Sequence, residues 1–305
     1  VSVAQNETEN QLNLAQLKTT QDQAHQSPTD LAWRWLRRLL ISDYFILVFT
    51  VVVYIIAAQF FDRLQNPANF ANQLSNMWPL FAVAIGQTFV LIVAGIDLSQ
   101  GSIMAITSVV GAIIMAEGLD PSFFDRTPIW GVLIDESGGI LAGSDAAVLV
   151  AVMAMLAVGS FIGLLNGIFI TRFNITPFIA TLVSLIFFSF FALWLTQSRN
   201  ISGIPEDFVK LGDGEIVSVY LGEKVDPEIR RRDIISIITY STVIATGLAV
   251  VAGFILTKTV FGKHMFAIGT NNRAATISGI PSKRVVTLVY MFSGFCAAVA
   301  SIIFT

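Results

Sequence analysis

Seven stretches of this chain, 42–61, 78–95, 102–116, 146–170, 178–195, 234–256 and 285–305, are almost uninterrupted runs of apolar residues. A helix needs about 20 residues to cross the roughly 30 Å hydrocarbon layer of a bilayer, and these runs approach or reach that length. A backbone in lipid must satisfy its own hydrogen bonds, and the period-2 alternation of a barrel strand is absent, so each run reads as a helix. The expected fold class is all-α, a polytopic transmembrane helical bundle of about seven spans. Composition agrees: 54% of the 305 residues are hydrophobic and only 13% charged, and the mean hydropathy of +0.72 lies far from that of soluble domains.

Charge is informative through its placement. The net charge of −3 gives no reason to expect a nucleic-acid partner. Residues 1–30 are rich in Gln, Asn and Thr, lack the apolar core of a secretory signal, and read as a disordered polar tail. Residues 31–41, where Trp33 and Trp35 alternate with Arg34, Arg37 and Arg38, have the composition of an interfacial amphipathic segment. Residues 42–305 form the membrane domain. The 257–284 segment carries Lys258, Lys263, Arg273, Lys283 and Arg284 without an acid, whereas 117–145 carries six acids against Arg126 alone. By the positive-inside rule the N-terminus and 257–284 are cytoplasmic and 117–145 is external, which seven spans accommodate. The run Arg230–Arg232, at the end of an otherwise mixed outer loop 196–233, fits this scheme least well. Trp78 and Trp194 fall near span ends, as aromatic belts require.

Between the second and third runs stands "AGIDLSQGS", 94–102. A carboxylate at the centre of a lipid-facing helix costs about 2.5–3.5 kcal/mol on insertion scales, so Asp97 must face protein or water. Gly95 and Gly101 bracket a place where the helix can break. Asp97 and Ser99 can then cap the following helix; the same broken geometry can instead line a path for a polyhydroxylated solute. The two readings are compatible. In the fourth run, Gly159, Gly163 and Gly167 share one helix face and allow close helix packing, and Asn166 beside them reads chiefly as interhelical glue. Pro177 suits the first turn of the next helix, with Thr176 as its cap. In "FGKHMFAIGTNNRAATISGIPSKR", 261–284, the stretch 273–280 is helix-capable and bounded by Asn271 and Asn272 before it and Gly279 and Pro281 after it. It is either a compact unit that docks a partner or an ordinary basic connection.

Several chemistries are set aside. There is no "GxxxxGK[ST]" phosphate loop, no "HExxH" and no "GxSxG". His25 and His264 lie far apart in different kinds of segment, which gives no basis for a metal site. The lone Cys296, inside an apolar run, reads as a packing residue. No catalytic residue is expected.

Three stretches together resemble the membrane permease subunits of bacterial ATP-binding cassette importers for ribose, galactose, xylose, arabinose and related monosaccharides. They are "AVAIGQTFVLIVAGIDLSQGSIMAITS" (82–108), "GLLNGIFITRFNITPFIATL" (163–182) and "FGKHMFAIGTNNRAATISGIPSKRVVTLVYMFSGFCAAVA" (261–300), in that order. Ala94 stands where the family usually has a glycine, Gln100 where it usually has an apolar residue, and the loop 207–233 is longer than expected. The family continues through further spans beyond the point equivalent to Thr305, so the chain reads as C-terminally truncated.

The resemblance implies a multi-pass protein of the bacterial inner membrane. Its implied partners are an extracytoplasmic sugar-binding protein, a second permease subunit (a homo- or heterodimer) and a cytoplasmic ATPase subunit. ATP and Mg would then sit on that ATPase, leaving this chain without a cofactor or metal. The implied ATPase-coupling loop includes Gly269, Asn271, Arg273, Ala274, Ala275, Ser278 and Gly279. The implied path or helix cap centres on Asp97 and Ser99 with Gly95, Gly101 and Asn166. The rival expectation is an ion- or proton-coupled secondary transporter in which Asp97 carries the coupling ion.

Overall fold

The computed structural model describes residue 33 and residues 37–42, 44–65, 67–220 and 234–304. The polar N-terminal tail, most of the interfacial segment and Arg230–Arg232 lie outside the described residues. Residues up to 66 and residues from 67 onward are separate compact units. In the first, α1 (Phe45–Phe60) is apolar around its whole circumference and has no buried residue, as expected of a helix whose surroundings are lipid. It is followed by the short α2 (Asp62–Gln65), and the Tyr54 hydroxyl donates to the Leu64 carbonyl.

The second unit contains α3 (Pro67–Ile92), α4 (Gln100–Met115), α5 (Pro121–Phe124), α6 (Ala147–Arg172), α7 (Pro177–Thr196), α8 (Glu206–Asp213), β1 (Glu215–Tyr220), β2 (Ile234–Thr239), α9 (Tyr240–Lys258), α10 (Val260–Ile277) and α11 (Ser282–Phe304). Each apolar run has its helix. By length and composition α6, α7, α9 and α11 can cross a membrane, while α1, the 76–92 part of α3 and α4 are apolar but shorter. The protein is a multi-pass, all-α membrane bundle.

The sixth run is the exception to its expected bounds. Residues 234–239 form a strand, paired antiparallel with β1 from Tyr220↔Ile234 to Glu215↔Thr239, and the helix begins only at Tyr240. The β-branched run in "IISIIT" favours the strand, and Thr239 stops it by accepting from the Thr242 amide in a capping box.

α11 is the central helix. Of the residues in its most apolar stretch 61% are buried, against 22–28% for α6, α7 and α9, so those three turn most of their surface to lipid or partners. α11 packs on α3, α4, α6 and α10. Its contact with α6 is close because a Cβ on Gly159 would fall 2.7 Å from both Ala298 Cβ and the Gly294 carbonyl, one on Gly163 would strike the Tyr290 carbonyl, and one on Gly167 would lie 2.7 Å from Thr287 Cα. The glycine face thus lies against the backbone of α11, where every added methyl would push the helices apart.

Charge separates along the bundle. Residues 146–205 and 234–305 contain no Asp or Glu. The acids of the second unit other than Asp97 belong to the 117–145 segment and to residues 206–233. Within 117–145, Asp135 accepts from the Ser137 hydroxyl (2.5 Å) and amide (2.8 Å), which holds its carboxyl below the ordinary value of 3.8.

Candidate functional site

α3 and α4 are two helices separated by seven non-helical residues, 93–99. α3 ends in a Schellman motif: the Gly95 amide donates to the Val90 carbonyl and the Ala94 amide to the Leu91 carbonyl, both at 2.9 Å. The residue in the left-handed position is Ala94, with φ of 58°. Gly95 is small for another reason, since a Cβ there would strike the Tyr290 hydroxyl. Gly101, the expected second bracket, is an ordinary helical residue of α4 with open space around its Cβ position.

The loop lies deep in the bundle. It meets α6 at Asn166, α7 at Thr181 and α11 at Ser293. At 1.5 Å per residue these points are roughly 6–16 Å from the neighbouring helix ends at Arg172, Pro177 and Ser282. Irregular backbone at such a depth is tolerated only where protein satisfies it. Here the Ile96 carbonyl accepts from the Tyr290 hydroxyl (3.3 Å) and the Thr181 hydroxyl (3.4 Å).

Asp97 does the same for the other side of the turn. Its Oδ1 accepts from the Ser99 amide (2.9 Å) and the Ser99 hydroxyl (2.6 Å), and its Oδ2 accepts from the Ser293 hydroxyl (2.7 Å). Behind these donors stand further ones: Gln100 Nε2 donates to Ser293 Oγ (2.7 Å), Asn166 Nδ2 to Ser99 Oγ (2.9 Å), and the Ser184 hydroxyl to Asn166 Oδ1. Asp97 is 5% exposed, and Ser99, Asn166 and Ser293 are completely buried. Every bond in both relays points toward the carboxylate, which suits a group that only accepts. No Lys or Arg takes part.

The expected cap takes another form. Ser99 is the N-cap residue of α4, yet its side chain receives no bond from the first helical turn, and Asp97 binds the Ser99 amide, which precedes the helix. The reason is competition: the Ser99 hydroxyl is committed to Asp97 and Asn166. Similarly, Pro177 opens α7 as expected, but Thr176 makes no side-chain cap bond. Asn166, read as glue, joins this network, and Gln100, a departure from the resemblance, supplies one of its donors. Sequence reasoning missed Ser184, Ser293, Thr181 and Tyr290. The available signal was weak: a hydroxyl inside an apolar run needs a partner, but the run does not say which.

The second region is α10, helical over nearly its whole length rather than a loop with a short helix. It follows α9 after Thr259 alone and breaks at Asn271, whose backbone is extended (φ −160°, ψ 96°) and whose Oδ1 accepts from the Ala274 amide at 3.0 Å. That bond caps a short second helix. It ends in another Schellman motif, Ile280 amide to Ala275 carbonyl and Gly279 amide to Thr276 carbonyl, with Gly279 left-handed at φ 85°. Arg273, Ala274, Ser278 and Gly279 are exposed, and Ile277 is 80% exposed. Ala275 is turned inward among Val285, Val289 and Met265, so it packs the unit instead of offering contact surface. Gly269 lies directly on the Ile92 carbonyl, at the point where α3 gives way to the Asp97 loop.

Residues 69–305 match the family model described as branched-chain amino acid transport system / permease component. The chain is 30% identical over 258 residues to the galactose/methyl galactoside import permease protein MglC of Haemophilus influenzae, a match covering 82% of this chain and 66% of that protein. It is 30% identical over 263 residues to the ribose import permease protein RbsC of Bacillus subtilis (86% and 66%). It is 26% identical over 223 residues to the D-allose transport system permease protein AlsC of Escherichia coli (73% and 55%). The chain therefore spans 55–66% of the length of these relatives. No solved structure matches it.

Proposed function

The chain belongs to the family described as branched-chain amino acid transport system / permease component, and from that premise we propose that it is the permease subunit of an ATP-binding cassette importer for a monosaccharide. The sugar reading rests on the relatives, whose names specify galactose, ribose and allose rather than an amino acid. In this reading a binding protein delivers the sugar on the outside, two permease subunits form the path in a bacterial inner membrane, and a cytoplasmic ATPase with its ATP and Mg supplies the energy. By the charge of their own sequences, the acid-free 257–284 segment faces the cytoplasm and so does the N-terminal flank with Arg34, Arg37 and Arg38.

The observation that carries the coupling role is the construction of α10. Its second helix is stopped at both ends by defined caps, presents Arg273, Ala274, Ile277 and Ser278 outward, and belongs to the helix whose Gly269 rests on Ile92. A push on α10 by the ATPase reaches the end of α3, and from there the loop that Asp97 ties to α6, α7 and α11. Such a chain of rigid contacts can move between discrete arrangements. Asp97 acts as a positioning residue that holds the broken helix in register rather than as a sugar contact, because it is 5% exposed and both of its oxygens already accept from protein donors. The same filling argues against an ion-coupling role.

The test is uptake of labelled galactose, ribose and allose by the full-length permease reconstituted with its ATPase and binding protein. Uptake of at least one sugar that requires ATP is expected. Uptake that persists in ATP-depleted vesicles under an intact ion gradient would overturn the proposal.

A further inference from the structure

Between the C-terminal turn of α6 and the N-terminal turn of α11 lies a cleft of about 780 Å³, lined by Arg172, Lys283 and Arg284 and by the apolar Ile168, Phe173 and Leu288. The three cations are exposed. Among the described residues the ion pair is Lys210 with Asp207, in α8, and none of the three takes part in it. The helices that build the cleft carry no acid, so its side-chain charge is positive, while the C-terminal end of the α6 dipole and the N-terminal end of the α11 dipole offset each other there.

Helical spacing sorts the lining by depth. Arg172, Lys283 and Arg284 stand at helix ends, where the bundle meets water. Ile168 lies one turn inward from Arg172, and Leu288 about one turn inward from Arg284. Between these levels the Thr171 and Thr287 hydroxyls share a hydrogen bond of 2.9 Å. Phe173 is 63% exposed and Leu288 42% exposed, so the apolar wall is open. A cationic rim with hydroxyls beneath it and an apolar wall reaching into the bilayer is complementary to one class of molecule. It fits a phosphate diester joined to acyl chains.

We propose that this cleft binds an anionic phospholipid, with the phosphate among Arg172, Lys283 and Arg284 and an acyl chain along Ile168, Phe173 and Leu288. A soluble anion would use only the rim. The ATPase contact of the previous section lies on the outward face of α10, whereas this cleft is built by α6 and α11. Assigning the lipid to the cytoplasmic leaflet rests on the orientation proposed above; the binding does not.

The experiment uses the full-length permease in neutral detergent, titrated with dioctanoyl-phosphatidylglycerol, with dioctanoyl-phosphatidylcholine and with inorganic phosphate, and bound lipid counted by native mass spectrometry. The glycerol lipid should bind at least tenfold tighter than the choline lipid. Each of Arg172→Gln, Lys283→Gln and Arg284→Gln should weaken it by about fivefold, while Lys283→Arg keeps it and Lys210→Gln changes nothing. Size-exclusion profiles report that the variants fold. Equal binding of the two lipids, or no loss in the Gln variants, refutes the proposal. Displacement of the lipid by inorganic phosphate at equal concentration would make the cleft a phosphate site and also refute it. Loss of ATPase co-purification with lipid binding unchanged would assign the surface to the protein partner, again refuting it. Failure of sugar uptake with these lipid ratios intact would count against the transport reading alone.

Discussion

Replacing Asp97 separates a structural role from a role in the path. In Asp97→Ala the Ser99 amide loses its acceptor at a completely buried residue, and a buried orphan of this kind costs about 1–3 kcal/mol. The Ser293 bond that ties the loop to α11 is lost as well, and interhelical bonds in membrane proteins contribute about 0.6 kcal/mol on average and at most about 1.7. With the Ser99 hydroxyl also released, the expected destabilisation is about 2–5 kcal/mol. Asp97→Asn is milder but not neutral. Placed at Oδ2, the new amide can donate to the second lone pair of Ser293 Oγ but leaves the Ser293 proton without its acceptor, and placed at Oδ1 it faces the Ser99 amide. The first orientation strands a buried proton and the second sets donor against donor, and either costs about 1–3 kcal/mol. The assay is the thermal midpoint of the full-length protein in detergent, measured beside sugar uptake normalised to folded protein. The order expected is wild type, then Asn, then Ala, with uptake per folded molecule retained better than the midpoint. An Ala variant with an unchanged midpoint and abolished uptake would refute the positioning role and restore Asp97 to the path.

Ala94→Gly should raise the midpoint, because relieving a left-handed alanine at the end of α3 is worth about 1 kcal/mol; no change or a fall would mean that φ is not strained there. Gly163→Ala should destabilise by about 1–3 kcal/mol, since the methyl group meets the Tyr290 carbonyl, whereas Gly101→Ala, which meets open space, should be neutral or stabilising. Equal effects of the two in a thermal-shift assay would count against close α6–α11 packing. Ser137→Ala should raise the pKa of Asp135 toward 3.8, read by carbon-detected NMR. Because the folded value is lowered, the bond favours the native loop above the unfolded pKa, and that contribution fades as pH falls through the folded one.

Apolar run length alone located seven of the helices, α1, α3, α4, α6, α7, α9 and α11, because a backbone in lipid has few alternatives. It misplaced the start of α9 because a β-branched run can serve as strand or helix, and the choice fell to pairing with β1. Glycine spacing revealed the face of α6, and "NNRAATISGIP" carried the two stops of the α10 unit, both being local chemistry. The surroundings of Asp97 were not local. Its position announced a break in a helix, but its partner Ser293 lies 196 residues away and its relay ends on α6 and α7. An apolar run records that a hydroxyl is present without recording what it faces. Only the packing of α4, α6, α7 and α11 around the loop 93–99 decided that this carboxylate is a buried acceptor filled by the protein itself.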